Sequence, residues 1–570
     1  MSHHDRVTRL RASSIAVLAA VLAAGAPAPA TDLRPNILLL LAEDLGPRLG
    51  AFGDPVAVTP RLDRLAQEGT RYTRVFTTAG VCAPSRAALL TGVHAISTGS
   101  HHMRTSNRGY RAVPPPEVKA FPELLRAAGY ATFTNFKLDY QFSGTSAGSG
   151  PFTIWDAEGF TAHWRKLGGD RPFFGLINFF ETHESGVFPR PALPRSGAHA
   201  YMQLIHLLLH IGHDDVVSPE DVSLPPYYPD TPLVRADVAR HYNNVHRMDE
   251  RVGEILDQLQ ADGLLDSTLV IWTTDHGDGL PRAKRELFDS GIHVPMIIRW
   301  PPALRPPDAE PSGEDGRLVS FVDLAPTILA LAGVRAPVWM DGHVFAGPQA
   351  APKRRYVFAA RDRIDELPDR QRSVRDARYK YIRSYLPGTP GAAHTPWRDV
   401  LDSMRELWAH HERGELSAAA ALWFEPRPEE SLYDTWNDPH EVHDLATNPE
   451  YEPVLTRLRG ALDAWLAERI DLGAVPEEEM IAEMWPGGEQ PVTGEPSIEI
   501  LGSEAAPRVR VSPTTPGSSL GYRLDDGDWR LYTEAFPTPP GTRIEAKAVR
   551  YGWAESRPVR AVAEDTKPSP

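Results

Sequence analysis

The chain has 570 residues, 42% of them hydrophobic and 24% charged, enough apolar material for a large core and for roughly two to four domains. Its formal charge of −15 excludes a broad electrostatic footprint for nucleic acid and disfavours diffuse attraction to a long polyanion, so an anionic substrate requires a local basic pocket. The single cysteine, Cys82, excludes an intramolecular disulfide and reads either as an inert core thiol or as a residue kept for its chemistry.

Arg6, Arg9 and Arg11 precede an apolar run over residues 15–26 and then the small residues Ala28-Pro29-Ala30. That is the pattern of a secretory signal peptide over residues 1–30, with a mature chain starting near Thr31 and exported to the periplasm or beyond. The apolar run is too short to span a bilayer comfortably, so no stable membrane anchor is expected. Residues 36–42 form a continuous apolar stretch that ends in Glu43 and Asp44, the mark of a strand buried on both faces. Thr59 as N-cap, Pro60 at the first helical position and Gly69 just past the end frame a helix after it. Cys82-Ala-Pro-Ser-Arg86 opens another helical run that closes at Gly92, which places Cys82 at a helix N-terminus. Residues 173–180 form a second apolar strand, ending at Glu181-Thr-His-Glu184. A third, residues 268–273, ends at Thr274-Asp-His-Gly277. Ahead of it, Val245, Met248, Val252, Ile255, Leu256 and Leu259 make one apolar helix face. Residues 201–212, with His206 and His210 one turn apart, read as a packed amphipathic insertion rather than a metal pair, because no third ligand stands at suitable spacing.

Beyond Ala303 the segments shorten. Residues 378–383 alternate like a strand, and residues 453–468 form a helix with Val454, Leu455, Leu458, Leu462, Trp465 and Leu466 along one stripe. From Pro496 onward, short alternating runs punctuated by proline, glycine and serine predict a small β-sandwich. The predicted fold is therefore α/β, a mostly parallel central sheet flanked by helices, with a smaller C-terminal α+β subdomain and an appended β-sandwich. The divisions fall at 31–302 for the larger part of the catalytic domain, 303–495 for its subdomain and 496–570 for the accessory module. Function belongs at the carboxyl ends of the parallel strands.

At the N-terminus of its helix, Cys82 meets free N–H groups that stabilise negative charge, and Arg86 adds a permanent cation. Cys82, Pro84, Ser85, Arg86, Thr91 and Gly92 match the C-x-P-S-R signature, followed by T-G, of the formylglycine-dependent sulfatase family in the alkaline-phosphatase superfamily. The resemblance extends over roughly residues 35–473. The Glu-Asp-Leu-Gly, Thr-His-Glu-Ser and Asp-His-Gly-Asp-Gly-Leu-Pro segments look most like bacterial relatives of heparan N-sulfatase. The tail beyond Pro496 resembles the small β modules appended to carbohydrate-active enzymes. The resemblance implies that a formylglycine-generating enzyme oxidises Cys82 to an aldehyde whose hydrate attacks sulfur with one hydroxyl and expels sulfate with the other. It also implies hydrolysis of a sulfate ester or sulfamate on a sulfated saccharide.

By the same resemblance Glu43, Asp44, Asp275, His276 and the modified Cys82 hold a divalent cation. The oxygen-rich set points to calcium and tolerates magnesium. Glu43 stands where aspartate is usual. His183 matches the histidine that protonates the leaving atom, Lys284 matches a lysine that holds a sulfate oxygen, and Lys137 matches another lysine near formylglycine. With Arg86 they supply the basic pocket that the acidic total demands. Asp139 departs from the family pattern, which has histidine there; His101 and His102 are candidates to replace it. His102, Glu184 and Arg361, with Arg363, Asp365 and Glu366, are candidates for reading the sugar. Two rival readings stand beside this one: a phosphoester or phosphonate monoester hydrolase of the same superfamily, and a carbohydrate-binding relative that has lost the reaction.

Overall fold

Strand β1 (Asn36–Ala42) is fully buried from Ile37 onward and runs through the middle of a nine-stranded sheet. The computed structural model describes residues 34–168, 171–189, 196–306, 309, 312–503 and 506–563; the predicted signal peptide lies outside them. The sheet is completed by β2 (Thr70–Phe76), β3 (Ala131–Thr134), β4 (Ala157–Glu158), β5 (Phe173–Phe179), β6 (Thr268–Thr274), β7 (His293–Arg299) and β8 (Gly313–Asp315), in the order β4-β3-β5-β1-β6-β7-β2-β8, with β9 (Val319–Ser320) beside β2. Strands β4 through β6 are parallel, and β7 runs antiparallel to both of its neighbours. The mostly parallel sheet is as expected. It continues past the division expected at residue 302, because β8 and β9 both pair with β2.

Around the sheet lie α1 (Pro60–Glu68), α2 (Cys82–Thr91), α3 (Phe121–Ala127), α4 (Gly197–Leu209) and α5 (Pro232–Ala261). Alternation along β1 feeds two cores. Ile37, Leu39 and Leu41 join Leu89 and Leu90 of α2 and Phe121 and Leu125 of α3, while Leu38, Leu40 and Ala42 join Leu62 and Leu65 of α1 and Val245, Met248 and Val252 of α5. Burying each of these large side chains contributes about 1.5–3 kcal/mol. Thr59 does not cap α1 as expected. Its hydroxyl donates to Asp63, and the free N–H groups of Arg61 and Leu62 are taken by Asp249 of α5 at 3.0 and 2.7 Å. One helix thus caps another while the two pack on the same face.

In the C-terminal part, β10 (Val357–Arg361), β11 (Gln371–Arg375), β12 (Tyr379–Ser384) and β13 (Glu430–Asp434) form an antiparallel sheet. Helix α6 (Glu452–Ala467) lays Leu455, Leu458, Leu462 and Trp465 over Val374, Tyr381 and Leu432 of that sheet. The last strands are β14 (Ser497–Ser503), β15 (Ala506–Ser512), β16 (Ser519–Leu524), β17 (Arg530–Leu531), β18 (Phe536–Pro537), β19 (Arg543–Val549) and β20 (Val559–Val562). They make two antiparallel sheets, β14-β15-β18 and β17-β16-β19-β20, packed on Val509, Val511, Ile544 and Ala546. This module is docked on α3. Tyr551 is buried in the main core, stacks on Phe142 at 5.0 Å and donates to Glu123 at 2.8 Å; Ser519 donates to the other oxygen of Glu123 at 2.5 Å.

The same packing removes two residues from the candidates for sugar recognition. The guanidinium of Arg361 is consumed by Glu286 and, at 2.9 Å, by Asp369. His102 packs against His101, ring centroids 4.2 Å apart and tilted by 46°, and both are buried. Burial holds His94 down to about 4; burial, with the charge of Arg372 or of the adjoining ring, holds His101 and His102 down to about 3.

The native protein therefore binds fewer protons at these rings than the unfolded chain does below about pH 6.5. Stability should fall as pH drops, by roughly 1.4 kcal/mol per histidine per pH unit until the native value is reached. Replacing His101 and His102 together by glutamine should flatten the dependence of Tm on pH between about 6.5 and 4.5; parallel curves for variant and wild type would refute this. Tyr551→Phe keeps the ring stack and removes the hydrogen bond to Glu123, and urea unfolding should show a loss of about 1.5–3 kcal/mol.

Candidate active site

Strands β1, β5 and β6 are parallel and in register, with Ala42 opposite both Phe179 and Thr274, so the residues after them leave the sheet at one edge. Glu43 and Asp44 follow β1, residues 181–184 follow β5, Asp275 and His276 follow β6, and Lys137 follows β3. Open sheets bind ligands at that edge because the diverging loops leave a crevice lined by polar groups.

Helix α2 begins at Cys82, after an extended Val81, and closes at Gly92 in the left-handed region with φ 69°. All of α2 is buried, so Cys82 presents its Sγ inside the protein, 3.3 Å from Nε2 of His276 and 3.7 Å from Oδ1 of Asp44. Ser85 ties the helix to the end of β6 by donating to the carbonyl of Asp275 at 2.6 Å.

Around the thiol, buried carboxylates and cations interlock. Arg86 donates from Nε to Asp275 at 2.9 Å and from Nη1 to Asn178 at 2.6 Å, and its Nη2 stands 3.4 Å from Glu43. Lys137 donates to Glu43 at 2.7 Å, and Lys284 to Asp44 at 2.5 Å. Against the cost of burial, Lys284 and His276 hold Asp44 well below the usual carboxylate range. At Glu43, burial outweighs Lys137 and Arg86 and the pKa is raised. Against burial, Asp275 and Asp44 push His276 up to about 10. Burial and the charge of Lys284 hold His183 well below its ordinary value. Asp44 adopts φ 51°, a strained conformation fixed by Asp275 on its N–H at 3.1 Å and by the N–H of Glu184 on its carboxylate at 2.7 Å.

These donors fit a hard divalent cation. Glu43, Asp44, Cys82 and a ring nitrogen of His183 offer ligand atoms within 4.8 Å of one another, and so do Asp44, Cys82, Asp275 and His276. Oε1 of Glu43 is buried and accepts no hydrogen bond among the described residues. The carboxylates draw a proton onto His276, and a cation would meet that demand for positive charge in the proton's place.

Next to the cluster lies a cavity of about 510 Å3 whose lining includes Arg104, Lys137, Asp139, His183, Asp365 and Trp397. A larger cavity, about 710 Å3, sits near Arg34 at the amino end of β1 and contains none of the residues above. Cys82, Arg86, Lys137, His183, Lys284, Glu43, Asp44, Asp275 and His276 are thus brought together, whereas His102 and Arg361 are not. Glu184 borders the cluster without lining the cavity: both of its oxygens are held by Arg285, at 2.7 and 3.0 Å. Asp139 stands 4.0 Å from Lys137, and its Oδ2 is buried without a hydrogen bond among the described residues. Arg104 and Trp397 carry no sequence signal, because neither belongs to a motif and the chain brings Trp397 in from the C-terminal part. Nε of Arg104 is buried with no hydrogen-bond partner among the described residues. Against burial, Asp139, Cys82 and Asp365 raise the pKa of Arg104.

Residues 35–334 match the family described as Sulfatase, and residues 282–389 the family described as N-sulphoglucosamine sulphohydrolase, C-terminal. The chain is 40% identical over 562 residues to an ulvan-active sulfatase of Formosa agariphila, covering 93% of this chain and 92% of that one. It is 27% identical over 479 residues to N-sulphoglucosamine sulphohydrolase of Homo sapiens, covering 76% and 90%. A solved structure of a protein in complex with its substrate D-glucosamine-2-N,6-O-disulfate shares the fold, with a TM-score of 0.52 and 17% identity over 78% of this chain and 100% of that one. Matched to the family over more than half its length and to a 40% identical relative along nearly all of it, the chain belongs to the sulfatases and is a sulfuric ester hydrolase.

Proposed function

We propose that this sulfatase removes sulfate from a carbohydrate, as an O-sulfate ester or an N-sulfamate, using Cys82 as a formylglycine nucleophile with calcium as its cation and magnesium as the alternative. The observation that supports this most is the thiol at the amino end of α2, ringed by Asp44, His276, Arg86, Lys137 and Lys284. Conversion by a formylglycine-generating enzyme would supply a hydrated aldehyde in place of the thiol, one hydroxyl to attack sulfur and one to expel sulfate afterwards. A cation held by Glu43, Asp44, Asp275, His276 and residue 82 would supply positive charge to the sulfate oxygens. Lys137 and Lys284 bring two further charges to those oxygens, and the N–H groups opening α2 add theirs. Arg86 fixes Asp275 and Glu43. His183 donates a hydrogen bond to the departing oxygen or nitrogen as negative charge grows on it.

A saccharide substrate is supported by the names of the relatives and by the cleft. Trp397 offers a flat apolar face to a sugar ring, and Arg104 offers a charge for a second anionic group on the substrate. Export through a signal peptide at residues 1–30, to the periplasm or beyond, completes the reading. Among the described residues no helix is long and apolar enough to cross a membrane. Residues 31–302 and 303–495 would form the catalytic unit and 496–570 a carbohydrate-directed module.

In protein from a host with formylglycine-generating machinery, the peptide containing residue 82 should show loss of hydrogen sulfide and gain of oxygen, and Cys82→Ala should abolish turnover of aryl sulfates. An unmodified thiol in active protein would overturn the mechanism. Preference for aryl phosphate over the matched aryl sulfate would overturn the reaction. Lys284→Ala should lose roughly 10²–10³ in kcat/KM; wild-type activity in that variant would remove Lys284 from the site. Arg104→Ala should raise KM at least about tenfold for saccharides with a second anionic group and leave KM for 4-nitrophenyl sulfate unchanged; equal effects on both would assign Arg104 a structural part.

A further inference from the structure

Behind His183 runs a chain of hydrogen bonds. Nδ1 of His183 lies 2.7 Å from Oγ of Ser185, and the same Oγ lies 2.8 Å from Nε2 of His206, on α4. The backbone N–H of Ser185 also donates to Nδ1 of His183, at 3.3 Å. An N–H can only donate, so Nδ1 carries the lone pair and the ring proton sits on Nε2. The rest of the chain then has one direction. Ser185 donates its O–H to His183 and accepts from Nε2–H of His206. A ring nitrogen of His183 lies within 4.8 Å of ligand atoms of Glu43, Asp44 and Cys82, and with Nδ1 engaged by Ser185, Nε2 is the nitrogen left for the substrate.

Packing holds this chain in place. His183, Ser185 and His206 are no more than 3% exposed. Phe180 stacks on both imidazoles, with centroids 4.7 and 5.2 Å away and interplanar angles of 13° and 25°. Gly186 lets α4 approach, since a Cβ there would come within 2.9 Å of Cε1 of His206 and 2.6 Å of Nδ2 of Asn244. His210, one turn further along α4, bonds Asn244 at 3.1 Å and stays out of the chain.

We propose that His206, acting through Ser185, is a positioning residue for the sulfatase reaction: it locks His183 in the tautomer that presents Nε2–H to the departing atom. The proposal rests on the place given to His183 above, beside the departing atom: the neutral ring keeps its proton and offers Nε2–H as a hydrogen bond to the negative charge that grows there. In the other tautomer the ring would turn a lone pair towards an atom that is gaining negative charge, and assistance to the leaving group would be lost.

The test is leaving-group dependence, measured on full-length protein whose formylglycine content has been checked by peptide mass. Four variants are compared with wild type on a series of aryl sulfates from 4-nitrophenyl to the more basic 4-methoxyphenyl. Ser185→Ala and His206→Leu break the chain, whereas Ser185→Thr keeps the hydroxyl and His206→Gln keeps an N–H donor. Broken chains should lose roughly tenfold to hundredfold in kcat on 4-methoxyphenyl sulfate and less than about threefold on 4-nitrophenyl sulfate, whose phenolate leaves without help. The conservative variants should recover most of the loss. Equal losses along the series, or wild-type kinetics in His206→Leu, would overturn the proposal. Failure of the wild-type protein to hydrolyse 4-nitrophenyl sulfate would count against the sulfatase mechanism instead.

Discussion

Charges buried together stand or fall together: removing one partner leaves another unpaired in a low-dielectric interior, at a cost of about 3–5 kcal/mol. Glu43, Asp44 and Asp275 are such a set with Arg86, Lys137 and Lys284, and the whole reaction centre depends on their mutual compensation. The set is possible because three parallel strands end in register, so acids attached to different strands arrive at one point. A divalent cation added to balanced carboxylates and cations would leave net positive charge, which suits a site that must receive sulfate and release it again.

Within this arrangement the longer arm of Glu43 is accommodated. One oxygen takes Lys137 at 2.7 Å, and the other stays near Arg86 at 3.4 Å with no hydrogen bond among the described residues. Asp139 and Arg104 both line the cleft, where Asp139 raises the pKa of Arg104 against the cost of burial.

The C-terminal subdomain does more than cover the sheet. The loop after β6 that carries Lys284 is clamped on both sides of that residue. Arg282 donates to the carbonyls of His440 and Glu441, Arg285 pairs with Glu184 and Asp365, and Asp289 pairs with Arg375 and Lys380. A lysine has several rotatable bonds and loses entropy when held still; anchoring its loop from another subdomain limits the positions Lys284 can take beside Asp44. Trp397 reaches the cleft from the same subdomain, so pocket shape and catalytic charge share a support.

Local pattern was sufficient for much of this. Largely apolar runs ending in acids made β1, β5 and β6 legible, because a strand buried on both faces carries few polar residues until it exits the sheet. The Cys82-Ala-Pro-Ser-Arg86 run and Gly92 marked both ends of α2, because proline and glycine act on the backbone itself. Capping and recognition were not legible. Asp249 caps a helix 187 residues away in sequence, Arg361 and His102 are absorbed by subdomain packing, and Arg104, Trp397 and His206 enter the site from segments without a motif. A hydrogen bond or a cleft wall depends on which distant residues the fold makes neighbours, and periodicity along the chain holds no information about that. The sequence by itself determined the strands, the helix that bears Cys82 and the chemistry of its neighbours, whereas only the tertiary structure decided which charges pair, which residues line the cleft and which histidine stands behind His183.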